Sequence, residues 1–121
     1  MTQLALERLP QRLMVGTQRP VAELRDAAAQ AGLHFHHVAF TGGMDRALAL
    51  DAIAAALHFG PHFGRNLDAL FDSLADLPPG QVIVLDRLDR VGEARRGIFD
   101  VFRDAVDAAA AGSFRVFMIE P

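Results

Sequence analysis

The sequence predicts an α/β fold built on a parallel sheet, and two observations lead to this fold class. The chain has 121 residues, of which 51% are hydrophobic and 22% are charged, and this length and balance are typical of one globular domain. Short runs of β-branched and aromatic residues alternate with longer runs of helical periodicity. Because strands separated by helices are joined by right-handed crossovers, they lie parallel to one another in one sheet.

The first third of the chain predicts two strands around one helix. The apolar run Leu13-Met14-Val15, ended by a glycine, predicts a short edge strand. Pro20 suits a first helical turn, so the periodic residues after it predict a helix over Val21 to Ala31. A second strand is predicted over His36 to Thr41, because β-branched and aromatic residues lead there into the turn Gly42-Gly43.

Two capped helices are predicted in the middle of the chain. Asp45 is the expected N-cap of a helix that runs to Leu57. Asn66 is the expected N-cap of the next helix, which ends before Pro78-Pro79. The apolar face of that second helix consists of Leu67, Leu70, Phe71 and Leu74.

The last third of the chain predicts a strand, a helix and a strand. The run Gln81 to Leu85 lacks polar alternation, as expected for a strand that is covered on both faces and central in its sheet. A helix is predicted over Gly97 to Ala111, and Phe114 to Ile119 forms the closing strand.

Composition and charge exclude several classes of function. Cysteine is absent, which excludes disulfides, cysteine zinc sites and thiol nucleophiles. The longest uncharged apolar run, Ala52 to Leu57, is far shorter than the roughly 20 residues that span a membrane, and Glu7 interrupts the apolar core that an export signal needs. We therefore expect a cytoplasmic protein with no membrane partner. The net charge of −3 argues against direct nucleic-acid binding.

An acidic stripe is the most informative pattern in the chain. Asp68, Asp72 and Asp76 recur every four residues, so their carboxylates lie along one side of the helix that Asn66 caps. Since the apolar residues point the other way, the stripe faces solvent or a partner. The simplest interpretation is a solvated face. A general acid and base pair needs a cleft that separates the two pKa values, and neighbours on an open helical face lack one.

Two further patterns suggest ligands but support them weakly. Alternate strand positions could direct imidazoles of His34, His36 and His37 toward a metal, yet no acid or cysteine lies nearby to complete the shell. The loop Gly60 to Arg65 precedes a helix and could cradle an anion, but it lacks the Gly-Lys-Ser/Thr ending of a P-loop. The sequence therefore predicts no metal, no cofactor and no catalytic residue.

Residues 62 to 77, HFGRNLDALFDSLADL, resemble the signature of the barstar family, the intracellular inhibitors of barnase-type secreted ribonucleases. That signature is an aromatic pair, Gly, any residue, Asn, an apolar residue, Asp-Ala-Leu, an aromatic residue and Asp-Cys-Leu. Val101 to Ala105 resembles the late helix of the family, and Phe114 to Ile119 its final strand. The resemblance implies a small three-stranded parallel sheet packed with helices over residues 33–121, preceded by an N-terminal extension, residues 1–32, with a short strand and a helix.

The resemblance also implies a function, which is to bind a small basic ribonuclease and block its active site with the acidic helix. Such an enzyme holds phosphates with Arg, Lys and His, so rigidly spaced carboxylates can occupy the phosphate pockets. The residues implied to contact this partner are His62, Phe63, Gly64, Asn66, Asp68, Phe71, Asp72, Asp76 and Asp104.

Three of these residues depart from the family pattern. His62 stands where the family usually has Tyr, Phe71 where it has Trp, and Asp104 where it has the longer Glu. These departures leave open a cognate enzyme different from barnase. Two other functions also stay open, namely an interaction module for a partner that is not a ribonuclease and a small metal- or phosphate-binding enzyme.

Overall fold

The computed structural model describes residues 13–110 and 112–121. Within these residues the chain forms four strands and four α-helices. The strands are β1 (Leu13–Val15), β2 (His34–Ala39), β3 (Gln81–Asp86) and β4 (Phe114–Ile119). The helices are α1 (Val21–Gln30), α2 (Arg46–Leu57), α3 (Leu67–Ala75) and α4 (Ala94–Ala108), and a 3-10 turn over Leu88–Val91 precedes α4.

The described strands form one parallel sheet in the order β1-β4-β3-β2. The α/β class and the parallel sheet are confirmed, and the apolar strand β3 lies inside the sheet as predicted. The prediction of three strands is wrong, because the described part of the sheet has four. Leu13 pairs with Val116. The strand β1 thus pairs with backbone groups of β4 that would otherwise be exposed along the edge of the sheet.

Helices cover both faces of the sheet. On one face, α1 buries Leu24 against Val82, Val84 and Phe117. On the other face, α2, α3 and α4 pack over Ile83 and its neighbours in the larger core. The two sets of side chains alternate along β3, as the two-residue period of a strand requires. The sheet therefore separates α1 from the acidic helix α3.

The predicted N-caps are confirmed, whereas some element ends differ. The Asp45 side chain accepts a hydrogen bond of 2.9 Å from the Leu48 amide. Strand β2 begins two residues before the predicted start, because His34 already pairs with Gln81. The boundary predicted between residues 32 and 33 falls in the turn between α1 and β2, and it stays a prediction.

Helix α4 begins before Gly97, the residue predicted to start it. A glycine inside a helix costs about 1 kcal/mol relative to alanine. The sequence alone therefore favours placing the first residue of the helix at Gly97 and not before it. The structure gives a reason for glycine, since a Cβ atom at residue 97 would lie 2.9 Å from Leu67 Cδ1. Gly97 therefore leaves room for the Leu67 side chain between α3 and α4.

Two ion pairs, one of them on the first turn of α4, lie beyond the carboxyl ends of β3 and β4. Arg95 donates through Nε and Nη2 to the two carboxylate oxygens of Glu120, at 2.7 and 2.8 Å. This hydrogen-bonded carboxylate raises the pKa of Arg95 above its ordinary value. The guanidinium of Arg87 similarly lowers the pKa of Asp89. The Arg95 pair joins the first turn of α4 to the residue that follows β4.

Candidate protein-binding surface

A loop between α2 and α3 begins the candidate surface. His58 ends α2 in the left-handed conformation, with φ of 58°, and the Phe59 amide donates back to the Ala54 carbonyl at 2.9 Å. The rings of Phe59 and Phe63 pack 5.3 Å apart, and Phe63 is half-buried against the core. The His62 side chain is exposed. The loop is thus anchored by its phenylalanines and presents His62 to solvent.

Gly64 and Asn66 set the start of α3. The Asn66 side chain accepts a hydrogen bond of 2.7 Å from the Ala69 amide and donates one of 2.9 Å to the Gly64 carbonyl. A Cβ atom at residue 64 would lie 3.2 Å from Ala69 Cβ, so the close approach favours glycine. These contacts give both residues a local structural role, and their contact with a partner stays a prediction.

Replacing Asn66 with alanine should lower the free energy of unfolding by about 1 kcal/mol, because the Ala69 amide then loses its acceptor. Urea denaturation followed by circular dichroism measures the loss. Asn66→Asp is the matched control, since it retains the capping oxygen and loses only the donor to the Gly64 carbonyl. Equal losses for both variants would contradict the capping role.

The acidic stripe of α3 is exposed. Asp68, Asp72 and Asp76 all face solvent, whereas Leu70 and Leu74 on the opposite side are fully buried. Asp76 follows the last helical residue as the C-cap. Over residues 13–110 and 112–121, no ion pair within 4 Å involves any of these three carboxylates. They therefore remain available to cations on another molecule.

Asp104 lies on α4, the helix beside the stripe. Leu67 meets Gly97 near the starts of the two helices, and farther along Phe71 shares an apolar cleft of about 330 Å³ with Ala105. Helices α3 and α4 therefore run side by side in the same direction. The exposed Asp104 carboxylate lies 3.5 Å from Arg103 Nη2, so it already has a cationic neighbour.

An open cavity of about 370 Å³ joins the loop to the end of α3. It is lined by His62, Phe63 and Asp76 from the predicted set, together with His58 and Ser73. His58 and Ser73 were missed, because they come together only when the loop folds back along α3. No local sequence pattern predicts the left-handed backbone of His58, which turns the chain at the end of α2.

The metal and phosphate alternatives receive little support from the geometry. His36 and His37 bond to different partners, Gln81 and Asp86 respectively. The expectation that no acid lies near these histidines is wrong for His37, because Asp86 reaches it from the neighbouring strand. In the described part of the chain, no group of three or more His, Cys, Asp or Glu residues could hold a metal ion. The cation of the loop, Arg65, is engaged by Asp51 through bonds of 2.8 and 2.9 Å.

None of the described helices is long and apolar enough to cross a membrane.

The fold and this surface define a class of protein, a small α/β module that displays carboxylates on an open helical face. The family model of Barstar (barnase inhibitor) matches residues 33–119. The chain belongs to the Barstar (barnase inhibitor) family, as the resemblance indicated, and this is a family of inhibitors. The match leaves β1 and α1 outside its range. No curated protein matches the chain.

Proposed function

We propose that this chain inhibits a barnase-type ribonuclease by placing α3 and the preceding loop in the enzyme's active site. The observation that carries the proposal is the acidic stripe, whose three carboxylates are exposed and engaged by no cation of the described chain. Membership of an inhibitor family supports it.

The geometry of the stripe suits a phosphate-binding cleft. A helix rises about 1.5 Å per residue, so carboxylates four residues apart follow one another at about 6 Å on a rigid support. Arg and Lys side chains that bind RNA phosphates form charge-assisted hydrogen bonds with carboxylates as well. The stripe needs no rearrangement within α3 to offer these contacts, which lowers the cost of binding.

The direct test is RNA cleavage by barnase and a panel of barnase-type ribonucleases, measured with increasing amounts of the chain. We expect cleavage to fall to zero at equimolar chain for at least one enzyme, and the chain alone to cleave no RNA. A folded chain that inhibits no enzyme of the panel contradicts the proposal. So does RNA turnover that copurifies with the wild type and disappears in Asp68→Ala.

Association with the inhibited enzyme should slow steeply as salt is added. The acidic stripe and a cationic active site attract each other over about 10 Å at 0.1 M ionic strength, and this attraction is screened at higher salt. Stopped-flow mixing at 0.02 M and 0.5 M salt measures the association rate, and the dissociation rate should change much less. An association rate that does not depend on salt would exclude electrostatic steering.

A further inference from the structure

A polar pair lies on the sheet beneath the candidate surface. Gln81, at the start of β3, is only 2% exposed, and its Nε2 donates to the Pro78 carbonyl at 2.8 Å. Because this bond orients the amide, Oε1 faces His36 on β2, and the His36 Nε2 donates to it at 2.7 Å. The other ring nitrogen of His36, Nδ1, lies 3.2 Å from the Ala56 carbonyl oxygen.

The pair contacts both ends of the segment that carries the candidate surface. Ala56 belongs to the last turn of α2, directly before the loop, and the carbonyls of Ala54 and Ala55 are taken by the cap of that helix. Pro78 directly follows Leu77, which lines the cavity at the end of α3. The sequence between these two contacts contains the whole loop and the whole acidic helix.

His36 also touches the first residue of the loop. Its ring packs edge-on against the His58 ring, with centroids 6.5 Å apart, and His58 lines the cavity together with His62 and Asp76. Gln81 itself is buried, so it has no surface to offer a partner. Any effect of Gln81 on binding is therefore indirect, either through the segment that it holds or through the stability of the whole chain.

We infer that His36 and Gln81 are positioning residues of the binding surface. Gln81 holds the end of α3 to β3 through its bond to the Pro78 carbonyl, and His36 packs against the last turn of α2 and the His58 ring. The pair therefore fixes both ends of the segment that carries the loop and the acidic stripe before the partner arrives. A surface that is ordered in advance loses less conformational freedom on binding, which appears as slower dissociation. This inference rests on the proposed ribonuclease inhibition for its effect on affinity, but its effect on the loop does not.

The neighbouring residue His37 offers a matched control. Successive residues of a strand point to opposite faces, so His37 lies on the α1 side, where its Nε2 bonds to Asp86 Oδ2 at 2.9 Å. Both histidines belong to β2, both are half-buried, and each forms one polar side-chain bond to β3. Only His36 reaches toward α2 and the loop.

The experiment compares His36→Leu, Gln81→Met and His37→Leu in the full chain. Amide hydrogen exchange is measured over residues 57–80, and dissociation from an inhibited ribonuclease of the panel is measured by competition. We expect His36→Leu and Gln81→Met to speed exchange in the loop and at Asp76, Leu77 and Gly80, and to speed dissociation by at most about tenfold, the full effect of one hydrogen bond. His37→Leu should lose similar global stability and change neither quantity.

Two results would overturn the inference. One is unchanged exchange over residues 57–80 in both His36→Leu and Gln81→Met. The other is a dissociation rate that rises equally in all three variants, which would show a general loss of stability. Gln81→Met keeps the bulk of the side chain, so it remains informative if His36→Leu does not fold. If the wild type inhibits no enzyme, the proposed function fails and the exchange data alone decide the positioning role.

Discussion

Replacing Asp72 with alanine should weaken ribonuclease inhibition by about 3–5 kcal/mol, more than any other single carboxylate truncation. Asp72 lies in the middle of the exposed stripe on α3, so a bound enzyme covers it most completely. Removing one partner of a buried ion pair leaves the other charge buried without compensation, and this costs about 3–5 kcal/mol. Asp68 should rank second. Asp76, which lies at the end of the helix, should lose least, because charges at a solvated rim contribute little.

Inhibition constants of the three alanine variants measure this order. Asp26→Ala is the matched control, since Asp26 is an exposed carboxylate on α1, across the sheet from the stripe. Circular dichroism should show unchanged folding in all four variants. Equal losses along the stripe, or no loss for Asp72→Ala, would mean that this face of α3 is not the interface.

Deleting residues 1–32 should abolish cooperative unfolding. The deletion removes β1 and α1, and so exposes Val82, Val84 and Phe117 on one face of the sheet. Fully burying one such side chain contributes about 1.5–3 kcal/mol, and a domain of this size has a total stability of only about 5–15 kcal/mol. The deletion also leaves β4 as a free edge, which favours aggregation.

Urea denaturation of residues 33–121, followed by circular dichroism, tests this expectation. Leu24→Ala in the full chain gives a milder measure of the same contact, with an expected loss of about 2–5 kcal/mol. Ala29→Ser, on the exposed side of α1, should cost much less. A truncated chain that still unfolds cooperatively would contradict this expectation and show that residues 33–121 fold alone.

The features that could be predicted from the sequence are those that local chemistry determines. Asp45 and Asn66 predict the starts of their helices, because a capping side chain bonds to an amide only three residues later. The acidic stripe is predictable for the same reason, since helical spacing alone places Asp68 and Asp72 on one side of the helix.

The features that could not be predicted depend on contacts between distant parts of the chain. The strand β1 was expected, but its pairing with β4 joins residues separated by about a hundred positions, and no local pattern specifies that pairing. Gly97 led to a wrong start for α4, because the contact that accounts for a glycine inside this helix is made by Leu67 on another helix. The contact of His36 with Gln81 and the cavity beside His58 likewise appear only in the folded chain.

The separation of α1 from α3 by the sheet has a practical consequence. The chain contains no cysteine, so a single cysteine introduced at an exposed position of α1, such as Ala22 or Ala29, would be its only thiol. A fluorophore or a solid support attached there would lie on the opposite face of the sheet from α3 and leave the acidic helix open to a ribonuclease in solution. The stopped-flow measurements could then use the fluorophore-labelled protein in solution, and the competition measurements could use the same cysteine variant immobilised in a single orientation.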